Sequence, residues 1–163
     1  MPYLLDTCTL LFVAGNTADL SPATLQLIDA APPGEVFVSA ISVAELACLQ
    51  ERGRITLKQH WRAWWAALLQ RTAWTCLPIT AEIMAEVYSL PPPVHRDPAD
   101  RVLIATARYE RLTLVTTDGK ILGYPHVPTL SEGERARHGE ADRGDTRGRA
   151  ARVVEPWLAG ERA

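Results

Sequence analysis

No stretch of this 163-residue chain approaches the ~20 consecutive apolar residues that a membrane-spanning helix needs. Asp, Glu or Pro interrupts the longest candidates. The N-terminus, Met1-Pro2-Tyr3-Leu4-Leu5-Asp6, sets no basic region ahead of an apolar one, which argues against a secretory leader. Cysteine is scarce and odd in number. Cys8, Cys48 and Cys76 lack a paired metal-ligand spacing, and free thiols in a reducing cytoplasm fit them best. His60, His95, His126 and His138 lack zinc-ligand spacing and read as ordinary surface or loop residues, His95 being merely near the Asp97 and Asp100 acids, and no Ser-His or Cys-His nucleophile pair is legible. Excess positive charge is missing too. A formal net charge of −2 gives no bulk attraction for a nucleic-acid backbone. Any such attraction has to be local, as where carboxylates hold divalent cations that invert the charge around them.

What is present suits one domain with a sizeable core: 47% of residues are hydrophobic, an ordinary globular level. Tyr3-Leu4-Leu5 reads as a short strand ending at Asp6, followed by a helix from about Thr7 to Val13. Ser21-Pro22 starts a helix to Ala31, with Ser as cap and Pro at the first helical position. Val36-Phe37-Val38 is a second strand, Ser42 opens a helix through about Arg52, and Gly53 ends it. Leu57–Arg71 reads as helix, Cys76-Leu77 as strand, Thr80 to Ser89 as helix, and Leu90 to His95 as a proline-rich loop. Asp97-Pro98 starts a helix reaching about Glu110, Leu112 to Thr116 is a strand, Asp118-Gly119 a turn, and Val127-Pro128 an edge strand. Strands alternate with helices and read as apolar runs, the pattern of a mainly parallel sheet covered on both faces. The expected fold class is α/β, a three-layer α/β/α sandwich.

Residues 1–131 form the expected domain. Residues 132–163 hold Arg and acids in equal number, seven of each, with few large apolar residues, and read as a flexible charged tail anchored only by Val153-Val154 and Pro156-Trp157-Leu158.

Sites in open α/β sheets form beyond the carboxyl ends of strands. Asp6 ends one strand and Asp118 lies just past another. Glu45 and Asp100 fall in the first turns of helices that begin at that same edge. Asp100 heads an inward stripe of Leu103, Ile104 and Ala107, and Glu45 one of Cys48 and Leu49. Inward carboxylates that also repel one another need a partner, and Mg2+ or Mn2+ with oxygen ligands removes both costs. Each acid also has a plainer reading. Ser42-Val43-Ala44-Glu45 fits a capping box, Asp97-Pro98-Ala99-Asp100 a similar cap, Asp118-Gly119 a turn, and Asp6 a helix cap.

In order along the chain, Leu4-Leu5-Asp6-Thr7, Ser42-x-x-Glu45, His95-Arg96-Asp97-Pro98-Ala99-Asp100-Arg101 and Leu114-Val115-Thr116-Thr117-Asp118 resemble the PIN-domain ribonucleases, specifically the VapC-type toxins of bacterial type II toxin–antitoxin pairs. The His-Arg-Asp-Pro segment is the most specific of these, and the resemblance covers roughly residues 2–130. It implies a cytoplasmic endoribonuclease in which Asp6, Glu45, Asp100 and Asp118 bind one or two Mg2+ or Mn2+ ions. Thr116 matches the hydroxyl beside the last acid, and Asp97 is an outer acid or only a cap. Metal-assisted hydrolysis leaving a 5′-phosphate and a 3′-hydroxyl follows from the resemblance. So do a tRNA or rRNA substrate, a VapB-type antitoxin and a homodimer. Ala99 departs from the pattern, standing where the family usually has an aromatic residue, and the tail has no counterpart.

Arg52, Arg54, Arg96 and Arg101 flank the expected site and are candidates for phosphate contacts, with ordinary exposed charge as the commoner reading and Arg96 the preferred one. Trp61, Trp64 and Trp65 share a helix face, as core or as a groove for an antitoxin's amphipathic tail. Three alternatives compete with the nuclease. A noncatalytic PIN-like RNA-binding or scaffold domain would not need all four acids. A phosphoacceptor domain needs an Asp where Val36-Phe37-Val38 ends in Ser39, and a dehalogenase-type phosphatase needs a second acid where Asp6 is followed by Thr7-Cys8.

Overall fold

The computed structural model describes residues 1–15, 20–131 and 152–154. Its centre is strand β1 (Tyr3–Leu5). In chain order follow helices α1 (Thr7–Ala14) and α2 (Pro22–Ala30), strand β2 (Val36–Ser39), helix α3 (Ala40–Glu51), strand β3 (Ile55–Leu57), helix α4 (Trp61–Thr72) and strand β4 (Thr75–Leu77). Helices α5 (Ala81–Ser89) and α6 (Pro98–Tyr109), strand β5 (Thr113–Thr116), helix α7 (Gly119–Leu122) and strands β6 (Thr129–Ser131) and β7 (Arg152–Val154) complete it. The main sheet has the order β4-β2-β1-β5-β6, and every pairing in it is parallel.

Alternation along the strands explains the layers. Leu5, Val38 and Val115 join a core with Leu10, Leu46, Trp64 and Leu68 from α1, α3 and α4. Leu4 and Leu114 point the other way, into a core with Ile83, Val87, Leu103, Ile104 and Ile121 from α5, α6 and α7. A sheet buried on both faces is why these strands are apolar throughout. The three-layer α/β/α fold expected from the sequence is therefore the one observed. Among the described residues, no helix is long and apolar enough to cross a membrane.

Trp64 is wholly buried and Trp61 and Trp65 pack beside it, so this aromatic face is core. Trp64→Ala is expected to cost about 3–5 kcal/mol, the usual range for deleting a buried aromatic side chain, as a lowered urea midpoint. Trp64→Phe should cost much less, since the indole Nε1 is buried with no hydrogen-bond partner among the described residues.

Several sequence readings need correction. Helix α3 begins at Ala40, not at Ser42, because Ser39 keeps extended backbone and its Oγ accepts from Ile41 N. Ser42 is then a buried helical residue, and Glu45 lies beyond the first turn. The buried stripe of α3 runs through Ser42 and Leu46, and Cys48 is exposed. The helix expected from Leu57 starts at Trp61, after a His60 cap, because Ile55-Thr56-Leu57 alternates buried and exposed residues as strand β3. Asp118-Gly119 is not only a turn; it opens α7. The last edge strand lies at Thr129–Ser131, immediately after Val127-Pro128. The flexible-tail reading of 132–163 falls outside the described residues, save that Arg152–Val154 pairs in parallel with β3.

Candidate metal centre

From β1, the next strand β2 lies on one side and β5 on the other. The crevice beyond the carboxyl ends of β1 and β5 is the topological switch point, where α/β sheets place their sites. Asp6 follows β1 and Asp118 follows β5. Both cap helices: Asp6 Oδ1 accepts from Thr9 N at 2.6 Å, and Asp118 Oδ1 from Lys120 N at 2.7 Å. Asp97 caps α6 through Ala99 N at 2.9 Å, which sets Asp100 in the first turn. The starts of α1, α6 and α7 thus bring positive helix ends to the acids, which eases their mutual repulsion. The capping readings are correct for Asp6 and Asp97, and Asp118, read as a turn, also caps a helix.

The four predicted acids influence one another's charge, but among the described residues only Asp100 and Asp118, with His95, bring ligand-capable atoms within 4.8 Å of one another. Burial holds the Asp100 carboxyl up at about 7, and Asp97, Asp118, Glu45 and Asp6 each repel its charge. Asp6 is likewise raised by burial and by Asp118, against donors Thr116 and Thr9 that favour its ionised form. Glu45 is raised by burial, then by Asp97 and Asp6, with a hydrogen bond from Thr7 working the other way. Cys8 keeps a solvent-exposed face, yet the surrounding protein pushes its thiol up to about 12, and all four acids add to the push.

A second tier of residues holds the carboxylates. Thr116 Oγ1, fully buried, donates to Asp6 Oδ2 and accepts from Asp118 N at 3.0 Å, so one hydroxyl links the two strand-end acids. Thr7 Oγ1 donates to Glu45 Oε2 and lies 2.8 Å from Ser42 Oγ. This contact, rather than a capping box, is what Glu45 serves. His95 Nδ1 lies 2.8 Å from Asp100 Oδ2. One ligand-capable atom each of His95, Asp100 and Asp118 falls within 4.8 Å of the others. Sequence reasoning underweighted Thr7, Ser42, Cys8 and His95. Their only signal was adjacency to an acid in the motif segments.

Thr116→Val is expected to destabilise the protein by about 1–3 kcal/mol, since it strips a donor from a buried carboxylate and an acceptor from Asp118 N. It should also weaken divalent-metal binding roughly 10–100-fold, the usual effect of losing a residue that orients a ligand. Urea melts and titration calorimetry read the two effects separately.

The predicted arginines are placed differently from one another. Arg96 is exposed on the turn entering α6, and Arg52 is exposed at the end of α3. Arg101 turns away to α5, where Nη2 donates to Val87 O at 3.1 Å and the guanidinium lies over the Tyr88 ring at 5.6 Å.

All-oxygen donors that raise one another's pKa are the donor set a hard divalent cation satisfies, so these residues fit such an ion. Comparison with known proteins bears on the family and the fold. The PIN domain family model matches residues 3–126. Ribonuclease VapC22 of Mycobacterium tuberculosis (strain ATCC 25618 / H37Rv) is 34% identical over 123 residues, covering 76% of this chain and 92% of that protein. The crystal structure of VapBC2 from Rickettsia felis, bound to a DNA fragment from their promoter, is similar with a TM-score of 0.60 at 19% identity, covering 80% of this chain and 98% of that one. Mycobacterium tuberculosis VapC20, a sarcin-ricin loop cleaving toxin, is similar with a TM-score of 0.50 at 22% identity, covering 77% of this chain and 98% of that one.

Proposed function

The chain belongs to the PIN-domain family, and from that premise we propose that it is a metal-dependent endoribonuclease acting as the toxin of a toxin–antitoxin pair. The observation that carries the proposal is the approach of Asp6, Glu45, Asp100 and Asp118 to the switch point, where Asp6, Glu45 and Asp100 feel the charge of neighbouring acids. In this reading all four are metal ligands, binding one or two Mg2+ or Mn2+ ions. When bound, the ion supplies an acidified attacking water and charge stabilisation on the phosphodiester.

The chain's own residues do the positioning. Thr116 and Thr9 N donate to Asp6, fix its orientation and partly offset the effect of its burial, and Thr7 does the same for Glu45. Asp97 sets the start of α6 and so the place of Asp100. Arg96, exposed beside this helix, is the best placed of the predicted arginines to meet an RNA phosphate, with Arg52 farther out. Arg101 braces α5 against α6 and contributes less to RNA. The nuclease domain spans residues 1–131, with 132–163 appended.

Resemblance to VapC-type toxins supports a tRNA or rRNA substrate, a cognate VapB-type antitoxin, a homodimer and a cytoplasmic location. Three free cysteines accord with that location.

Incubating the purified chain with structured RNA in Mg2+ or Mn2+, and again with EDTA, tests the proposal. Cleavage that needs metal and leaves 5′-phosphate ends is expected. Metal-independent cleavage would contradict the mechanism. Saturating metal binding without cleavage of any tRNA or rRNA would favour a noncatalytic PIN-like RNA-binding or scaffold domain.

A further inference from the structure

His95 is not among the four acids, yet it sits among their oxygens. It closes the proline-rich loop before α6, and its side chain is only 12% exposed. The turn into α6 holds the ring: Nδ1 lies 3.2 Å from Asp97 N and 2.8 Å from Asp100 Oδ2. A single nitrogen cannot accept from the Asp97 N–H and donate to the Asp100 carboxylate at once. If Nδ1 carries the proton, it occupies one oxygen of a candidate ligand. If it does not, its lone pair faces a carboxylate oxygen, an arrangement that a cation between or beside them relieves.

The spacing suits shared ligation. Two donors on adjacent positions of an octahedral ion, each with a bond of ~2.1 Å, lie roughly 3 Å apart. The 2.8 Å between Nδ1 and Asp100 Oδ2 is close to that, and one ligand-capable atom each of His95, Asp100 and Asp118 falls within 4.8 Å of the others.

The geometry points to His95 as an additional metal ligand, a nitrogen donor that makes this centre prefer Mn2+ over Mg2+. This inference rests on the reading of the four acids as a metal site. The chemistry of preference is general. Mg2+ binds through oxygen and keeps its waters, so an imidazole adds little to its affinity. Transition ions gain from nitrogen donors, and Mn2+ is the first of that series. Ligation through Nδ1 uses the lone pair that otherwise meets the Asp97 N–H, so the ion replaces that hydrogen bond.

Two measurements that do not depend on RNA cleavage test it. The first is electron spin echo modulation of the Mn2+-loaded full chain. It is expected to show a directly bonded imidazole nitrogen, which changes to the 15N pattern in protein labelled at histidine and disappears in His95→Gln. The second is titration calorimetry with MnCl2 and MgCl2. His95→Gln is expected to lower Mn2+ affinity about tenfold or more, in line with the 10–100-fold typical of groups around metal sites, and to change Mg2+ affinity by less than about threefold. Asp100→Asn separates this inference from the reading beneath it. If Asp100→Asn abolishes Mn2+ binding while His95→Gln leaves both the affinity and the nitrogen signal unchanged, the four-acid site stands and the His95 assignment falls. If Asp100→Asn leaves Mn2+ binding unchanged, both fall. The wild-type spectrum needs no variant, so a poorly folding His95→Gln would not protect the assignment: a Mn2+ ion without nitrogen coordination overturns it.

Discussion

Asp100→Asn is expected to lower metal-dependent RNA cleavage by at least about 100-fold, above the 10–100-fold usual for residues that only orient a ligand, while making the metal-free protein more stable at pH 8. The two effects have one cause. Asp100 is pushed from 3.8 to about 7 by burial and by four neighbouring carboxylates, so at neutral pH and above its charge is held against the preference of the fold. Between those two values the folded chain binds more protons at this group than the unfolded chain does. Stability from Asp100 is therefore fully present below about 3.8 and is lost as pH rises through about 7. Each tenfold difference in proton affinity between the two states corresponds to about 1.4 kcal/mol, and the side chain keeps a solvent-facing edge that screens part of it. A gain of about 1–2 kcal/mol for Asp100→Asn at pH 8, shrinking to nothing below pH 4, is the expected result. Urea melts of both proteins in EDTA across that range measure it. A variant less stable than wild type at pH 8 would mean that the Asp100 charge serves the fold and not a ligand. The asparagine can still accept a hydrogen bond from His95, so packing around the loop should survive.

Metal addition should reverse this pH dependence. Without metal, Asp6, Glu45 and Asp100 are all raised, so each contributes a loss of stability as pH rises. With metal, those carboxylates must be deprotonated to bind, and the ion favours the folded state increasingly as pH rises. At 100 times the dissociation constant a ligand stabilises by about 2.7 kcal/mol. For a chain of this length that is roughly 5–10 °C in Tm. The expected result is a gain of that size at pH 8 and little or none at pH 5, read by calorimetry with and without Mn2+. An equal gain at both pH values would place the ion at groups other than these acids.

The parallel sheet and its two covered faces were legible in the sequence because the signals are local: apolar runs between Ser, Thr and Asp caps. Asp6 and Asp118 could be placed from sequence because a residue just past a parallel strand has little choice of position. Asp100 followed from the Asp97-Pro98 helix start. The start of α3 was misread because two serines, Ser39 and Ser42, compete for the cap, and only the backbone of Ser39 decides between them. Strand β3 was hidden because its three residues precede a strong helical pattern, and the helix extends to Leu57 on paper at no visible cost. Glu45 also fitted a capping box with Ser42, but its partner is Thr7, 38 residues earlier, and no periodicity reports such a contact. His95 sat in the most specific segment of the chain, but its pairing with Asp100 depends on how the turn before α6 folds back.

The most direct test of a metal centre built by Asp6, Glu45, Asp100 and Asp118 is anomalous diffraction at the Mn edge from crystals of the full chain grown with MnCl2. The expected result is a peak at the carboxyl ends of β1 and β5, bounded by those four carboxylates, which disappears in Asp100→Asn. A peak elsewhere, or none between these acids in a protein that still needs Mn2+ to cut RNA, would contradict it.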